Sequence, residues 1–413
     1  MSIFPRRVVI INDRSTMVGG ASNLAVLSAR LLEQQGFEVV FLAGDAAGAV
    51  SPAATTINLD CAPLTQQGRL HALVDGLYNP RAYAAMRTLV DEDDATTIYH
   101  VHGWSKILSP SIFRALAPVR SRVVLHAHDY FLACPNGGFV NFGTKEICNL
   151  SPMTVKCLGT QCDKRGYHEK LWRSLRHVIR GQLFPIGSQS PNIIIVHQRM
   201  RDYMVKSGID VSNACTIRNP VEGFMTPPER PWSNASFFFI GRLEPEKGFL
   251  DAAQAARAAG ATLHVIGDGS GRALLERDFP EVVIHGWQDR TGMDVLIRGA
   301  RAVIVSSRVP EPFSLAAVEA VVSGIPVIVP DAALIGAEIA EQGCGLTFRS
   351  GDVASLAQAI RSMQSDDRLI ETMAGNCLRA GPGLGNTAES WGRALVDYYG
   401  TVLMGHETSR ATA

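Results

Sequence analysis

The chain has 413 residues, 46% of them hydrophobic, and its 39 Lys plus Arg balance 39 Asp plus Glu. That length suffices for two or three domains, and the zero net charge supplies no global field that would make nucleic acid an obligatory partner. No apolar run approaches the roughly 20 residues that a spanning helix needs, and the opening "MSIFPRRVVIIND" meets a strand-like run too short for a signal peptide, so the expected location is cytoplasmic.

In chain order, "RVVIIND" reads as a strand, Gly19 and Gly20 as a turn, and Leu24, Leu27, Leu31 and Leu32 recur at helical spacing before Gly36 stops the helix. The runs "FEVVFLA", "TTIYHVH", "RVVLHAH" and "NIIIVH" follow at intervals long enough for parallel crossovers. Around "IRNPVEGFMTPPERPWSN" four prolines break the pattern, as in a linker. A second alternating series then runs through "ASFFFIG", "ATLHVIG", "VVIHG", "RAVIVSS", "IPVIVP" and "GLTF", separated by Ala-rich helical stretches such as "FLDAAQAARAAG". The expected fold class is α/β, with two Rossmann-like, doubly wound parallel-sheet domains facing a central cleft. The expected bounds are 1–220 and 235–385 for the two domains, with a terminal helix over 386–413 that returns to the first domain.

Open parallel sheets bind ligands at the carboxyl ends of their strands. There "VPEPFSLAAVEAVVSGIPVIV" carries two acids in an apolar segment. Pro310 and Pro312 hold Glu311 in an extended loop. Ser314 is expected to cap a helix that ends at Gly324, with Glu319 in its second turn. The free N–H groups at such a helix start favour an anion, and a buried acid beside it needs hydroxyls to bond. The plain alternative is a solvated loop acid and an exposed helix acid.

"EPFSLAAVEA" resembles the acidic pair of the retaining glycosyltransferases of family 4, which share the GT-B fold. "FFFIGRLEPEKG", "LHVIGDGSGRALLE", "VVSGIPVIVP" and "MVGGASNLAVLSARLLEQQGFEVV" are similar to further blocks of that family, in order and over nearly the whole chain. The resemblance implies a UDP- or GDP-sugar donor, no required cofactor, and positive side chains in place of a metal. It also implies that Arg242 and Lys247 hold the diphosphate, Glu311 the hydroxyls of the transferred sugar, and Glu319 those of the ribose. Backbone N–H groups near Ser314 and Leu315 would meet the distal phosphate, although the family usually has glycine where Ser314 stands. The resemblance implies a histidine at this strand end facing donor sugar and acceptor, and of His126 and His128 the latter is favoured because it is nearer the strand's carboxyl end. Gly19 and Gly20 would let a ligand approach the backbone, and Gly267 lies in the family's Gly-Asp-Gly turn, read here as a turn near the base. The implied acceptor is a saccharide or a lipid-linked hydroxyl in polysaccharide or glycoconjugate biosynthesis, with peripheral contact to the inner face of a membrane left open.

"DEDD" at 91–94 precedes a strand and reads as a solvated charge run rather than a metal site. Cys134, Cys148, Cys157 and Cys162 are separated by 13, 8 and 4 intervening residues; four thiols in one loop-like region offer a structural zinc site, but only the last gap has the usual ligand spacing, and unpaired thiols are the alternative. Two other functions share the scaffold: a GT-B sugar-nucleotide epimerase and a catalytically silent nucleotide-sugar binder. Nucleotide diphosphate released only in the presence of an acceptor separates a transferase from both.

Overall fold

A computed structural model describes residues 4–17, 19–46, 48–186 and 192–411. The chain divides into two compact units, one of residues 1–137, 150–217 and 388–413, the other of 138–149 and 218–387.

The first unit contains strands β1 (Arg7–Asn12), β2 (Glu38–Ala43), β3 (Thr55–Asn58), β4 (Thr97–Val101) and β5 (Val123–Ala127). A two-residue hairpin, β6 (Val140–Asn141) and β7 (Glu146–Ile147), falls in the short segment grouped with the second unit. Strands β8 (Asn192–Ile195) and β9 (Ala214–Thr216) complete a seven-stranded sheet of order β3-β2-β1-β4-β5-β8-β9. All its pairs are parallel. The helices of this unit are α1 (Gly20–Gln34), α2 (Arg69–Leu77), α3 (Pro80–Asp91), α4 (Ser111–Leu116), α5 (Val155–Gly159), α6 (Tyr167–Leu183) and α7 (Met200–Lys206). The apolar strands Val8–Ile11 and Val39–Ala43 are buried, as expected where helices cover both faces of a parallel sheet.

In the second unit β10 (Ser236–Ile240), β11 (Leu263–Ile266), β12 (Val283–Gly286), β13 (Ala300–Ile304), β14 (Val327–Pro330) and β15 (Gly345–Phe348) form a parallel sheet of order β12-β11-β10-β13-β14-β15. Its helices are α8 (Phe249–Ala259), α9 (Arg272–Asp278), α10 (Arg290–Ile297), α11 (Leu315–Val322), α12 (Gly336–Glu341), α13 (Val353–Ser365) and α14 (Asp367–Ala380). The last helix, α15 (Ala388–Ala411), leaves this unit and buries Trp391, Leu395, Tyr399 and Leu403 in the core that α1, β1 and β2 build in the first.

Both sheets reverse their strand order once, between β1 and β4 and between β10 and β13. Loops leaving the two strands at such a reversal diverge to opposite faces and open a crevice. The sequence motifs fall on these loops.

The acidic run at 91–94 is not solvated along its length. Asp93 accepts from Arg122 Nη1 at 2.9 Å and from the Tyr99 hydroxyl at 2.8 Å, while Asp94 caps the turn through Thr96 N at 2.7 Å. Its acids fasten the start of β4, away from the carboxyl ends of the strands.

Candidate functional site

At the second unit's reversal, β10 leads into Gly241 and Arg242, then a tight turn over Pro245–Lys247, then α8. The loop after β13 lies against this turn: Arg308 N donates to Glu246 O at 2.9 Å, and Ser306 Oγ donates to Gly248 O at 2.8 Å. Arg308 Nε also donates to the buried Asp251 at 2.6 Å. The approach is close enough to specify glycine. Gly248 has φ +68°, and a Cβ there would stand 1.8 Å from Ser306 O.

This stitching brings three predicted residues together. Lys247 Nζ forms an ion pair with Glu311 Oε1, and Ser314 Oγ donates to Glu311 Oε2. Glu311 is 8% exposed. Burial alone pushes its carboxyl upward. The Lys247 charge and hydrogen bonds from Lys247, Ser314 and Ser307 outweigh that and hold it below the usual carboxylate range. Glu311 is therefore an anion with one cation beside it.

Ser314 does not cap α11 as its position suggests. It occupies the N-cap but makes no side-chain capping bond, because its hydroxyl turns to Glu311 instead. The first-turn amides, starting at Leu315, keep no side-chain acceptor of that kind. Arg242 is exposed and makes no hydrogen bond or ion pair among the described residues. One helix start and one uncommitted guanidinium thus flank the Lys247–Glu311 pair in sequence.

Glu319 sits one turn into α11, partly exposed, with Arg290 Nη1 3.5 Å from its Oε1. Burial, with a smaller push from Glu222, raises its carboxyl to about 7 against the opposing pull of Arg290. Near neutral pH it exists in both protonation states, able to donate to or accept from a hydroxyl. Arg290, which also donates to Glu222 O at 2.8 Å, carries no motif that would have marked it in sequence.

Gly267 has a structural reason of its own. At φ +144°, a Cβ would stand 1.9 Å from Gly241 O, so the glycine lets the exits of β10 and β11 touch.

In the first unit Gly19 has φ +88° and precedes α1, whose first residue is Gly20, and a Cβ on Gly19 would meet nothing within 4 Å. The backbone conformation, not crowding, asks for glycine. Beside the strand reversal, on the neighbouring strands β4 and β5, His100 and His102 on and after β4 meet His126 and His128 on and after β5. The rings of His126 and His128 stack at 4.0 Å between centroids, consistent with side chains two positions apart on one face.

With the Ser28 hydroxyl taken as donor to Ala25 O, the contacts assign one chain of protons here. Ser28 Oγ donates to Ala25 O at 2.8 Å, so its contact with His102 Nε2 at 3.3 Å is a hydrogen bond from the imidazole. Neutral His102 then presents a bare Nδ1, which accepts from His128 Nε2 at 2.9 Å. His128 is left with a bare Nδ1 that has no partner among the described residues. Burial holds both rings neutral, His128 near 3 and His102 well below its ordinary value. A parallel chain runs from the Tyr399 hydroxyl to His100 Nδ1 at 2.7 Å and from His100 Nε2 to His126 Nδ1 at 3.2 Å. "HVHGW" and "HAHDY", two His-x-His pairs at successive strand ends, are the signal that could have revealed His100 and His102 beside His126 and His128.

Among the described residues, His100, His102 and His126 are the one set of three metal-capable side chains whose ligand atoms lie within 4.8 Å of one another. Both ring nitrogens of His100 and of His102 already have partners. The four clustered cysteines form no such set. None of the four is in a disulfide, and the buried Lys170 amine reaches Cys162 Sγ at 3.3 Å and Thr160 O at 2.6 Å.

The arrangement has relatives among known structures. Sucrose-phosphate synthase from Thermosynechococcus elongatus superposes with a TM-score of 0.72 at 16% identity, covering 97% of this chain and 100% of that one. WaaG, a glycosyltransferase involved in lipopolysaccharide biosynthesis, gives 0.67 at 14% identity over 94% and 98%. Anabaena HepE in complex with UDP-glucose gives 0.64 at 15% identity over 98% and 99%. These likenesses define the fold as GT-B.

Sequence comparison places the chain within that class. The family described as Glycosyltransferase Family 4 matches residues 18–222, and the one described as Glycosyl transferases group 1 matches 234–366. The chain belongs to the family 4 type of glycosyltransferases. Glycogen synthase of Mycobacterium tuberculosis is 27% identical over 259 residues, 59% of this chain and 60% of that protein. A GDP-mannose-dependent alpha-mannosyltransferase of the same species is 41% identical over 96 residues, 23% of this chain and 25% of its own length. The chain thus spans less than two thirds of the curated relatives that it matches.

Proposed function

We propose that the protein transfers a sugar, with retention of configuration, from a nucleotide diphosphate sugar to a hydroxyl of a saccharide or lipid-linked acceptor in polysaccharide or glycoconjugate biosynthesis. The observation that carries the proposal is the Lys247–Glu311–Ser314 cluster beside the uncapped start of α11, at the strand reversal of the second unit. Arg242 and Lys247 take the diphosphate, a fork and a point charge respectively, and the Leu315 end of α11 meets the distal phosphate. Lys247 leaves Glu311 for the phosphate oxygens as the donor binds. Glu311 then accepts from hydroxyls of the transferred sugar, and Glu319 exchanges hydrogen bonds with the ribose.

As the sugar–oxygen bond breaks, negative charge grows on the leaving diphosphate, where cations and amides act most strongly. That supports chemistry without a required metal. The acceptor oxygen bonds to the anomeric carbon on the face that the diphosphate leaves, and the departing phosphate oxygen takes its proton, so no side chain need act as nucleophile or base. The role proposed for His128 is to accept a hydrogen bond from a substrate hydroxyl at its bare Nδ1. Gly19 and Gly20 open the backbone at the α1 start to a ligand. Relatives that carry UDP-glucose or are named for GDP-mannose support either nucleotide. The curated relatives are named for synthesis or mannosyl transfer, which favours transfer over the epimerase and silent-binder readings.

The test is release of nucleotide diphosphate from UDP- and GDP-sugars, with and without oligosaccharide or polyprenyl-linked acceptors. Acceptor-dependent release, with the anomeric configuration kept in the product, supports the proposal. Release or isomerisation with no acceptor requirement rejects it.

A further inference from the structure

Helix α6 sits inside out. Along Tyr167–Leu183 its buried residues are Lys170, Ser174, Arg176 and Arg180, whereas Tyr167, Leu171, Leu175 and Val178, at spacings of four, four and three, face solvent. Leu175 is 50% exposed. The polar face is held inward by specific bonds: Arg176 donates to Ser105 O at 2.7 Å and stacks 5.0 Å over Trp104, Arg180 donates to Leu132 O at 3.0 Å, and Arg173 pairs with the buried Asp163 at 2.9 Å. Rotation to hide the apolar stripe would break all of them.

Helix α2 extends the patch. Trp172 of α6 donates to Leu73 O at 3.1 Å, and α2 exposes Leu70 at 77% and Val74 at 65%. The surface here is basic: of the eight Lys and Arg over residues 69–77 and 155–183, Lys170, Arg176 and Arg180 are buried and Arg173 pairs with Asp163, which leaves four at the surface against the part-exposed acids Asp75 and Glu169, the latter 4.0 Å from Arg69. Lys156, Lys164, Arg165 and Arg69 are exposed.

We infer that the α2–α6 face docks on an anionic lipid surface. Aliphatic side chains on adjoining helices, with aromatic rings and a cationic rim, match an interface where acyl chains lie beneath negative headgroups. A protein partner would fit the apolar stripe equally, but the local excess of cations selects the anionic leaflet. The inference rests on the reading that the acceptor is lipid-linked, and it is read out without nucleotide or acceptor.

The experiment is co-sedimentation of the full chain with phosphatidylcholine vesicles and with mixed phosphatidylcholine–phosphatidylglycerol vesicles, at low and high salt. Binding to the mixed vesicles that weakens with salt is expected, and Leu171→Ser/Leu175→Ser/Val178→Ser should reduce partitioning at least about tenfold. Leu175→Glu alone should act in the same direction, in case the triple variant folds poorly. Equal binding by wild type and Leu175→Glu overturns the inference, as does no wild-type binding at low salt. A wild-type dimer in sedimentation velocity that Leu175→Glu dissolves would make the face a self-interface and overturn it too. Nucleotide stabilisation retained while vesicle binding fails would remove the docking surface and leave the donor site standing.

Discussion

The two strand reversals solve different electrostatic problems with the same topology. In the second unit the groups are charged and paired, with Lys247 on Glu311, Arg290 on Glu319 and Arg308 on Asp251. In the first they are neutral imidazoles in hydrogen-bonded chains ending at Ser28 and Tyr399. On the proposed function, the charged arrangement suits a crevice that receives a polyanion, with cations parked on carboxylates, and the neutral one suits a crevice that aims a single lone pair, with groups that burial keeps neutral.

The sharpest break of this comparison is at the charged pair. Glu311→Ala and Lys247→Ala should each lower turnover about a hundredfold or more. The two should differ in stability. Lys247→Ala strands a buried carboxylate and should lower the thermal midpoint clearly, while Glu311→Ala leaves a lysine whose side chain is 30% exposed and can reach water. Equal midpoints would mean that the pair does not hold the crevice together.

Next in size, Gly248→Ala should cost more than about 3 kcal/mol in denaturant unfolding, because its Cβ meets the Ser306 carbonyl. Gly19→Ala meets open space and should cost about 1 kcal/mol from its backbone conformation alone. Comparable losses would show that the two glycine turns serve the same purpose.

The neutral relay gives a smaller, more diagnostic effect. His102→Phe should lower kcat about tenfold with little change in KM, since His128 would lose the acceptor that fixes its tautomer. In wild type, nitrogen shifts of labelled histidine should show His128 protonated at Nε2, and Ser28→Ala should blur that assignment. A His128 found protonated at Nδ1 would contradict the hydrogen-bond chain.

Mildest is the titration of Glu319. Its folded carboxyl titrates near 7, above the ordinary 4.5, so folding binds its proton more tightly. That contribution is fully present below 4.5 and is lost as the pH climbs to 7. Glu319→Gln should therefore raise the thermal midpoint above pH 7, with the two curves converging in acid. A gap that widens in acid instead would reverse the sign.

Much of this was legible in the sequence, for uneven reasons. Apolar runs of near-constant length gave the two parallel sheets, since strands buried on both faces leave little else in their composition. Glu311 stood out because flanking prolines exclude it from a helix. Ser314 was misjudged as a cap because sequence shows the N-cap position but not the stronger claim of a carboxylate three residues away. Arg290 and Ser28 were invisible, for each acts through a contact at long sequence separation. The pattern of α6 shows two faces, yet only the bonds of Arg176 and Arg180 to Ser105 O and Leu132 O decide which face turns inward.

The most direct test of the central claim, that the second unit's cations grip a nucleotide diphosphate, is calorimetric titration of UDP and GDP into wild type and Arg242→Ala. Arg242 is exposed and bonds to none of the described residues, so its loss leaves folding undisturbed. The account predicts one nucleotide bound by wild type and an affinity at least about tenfold weaker in the variant. Equal affinities, or no heat with either nucleotide in wild type, would contradict it.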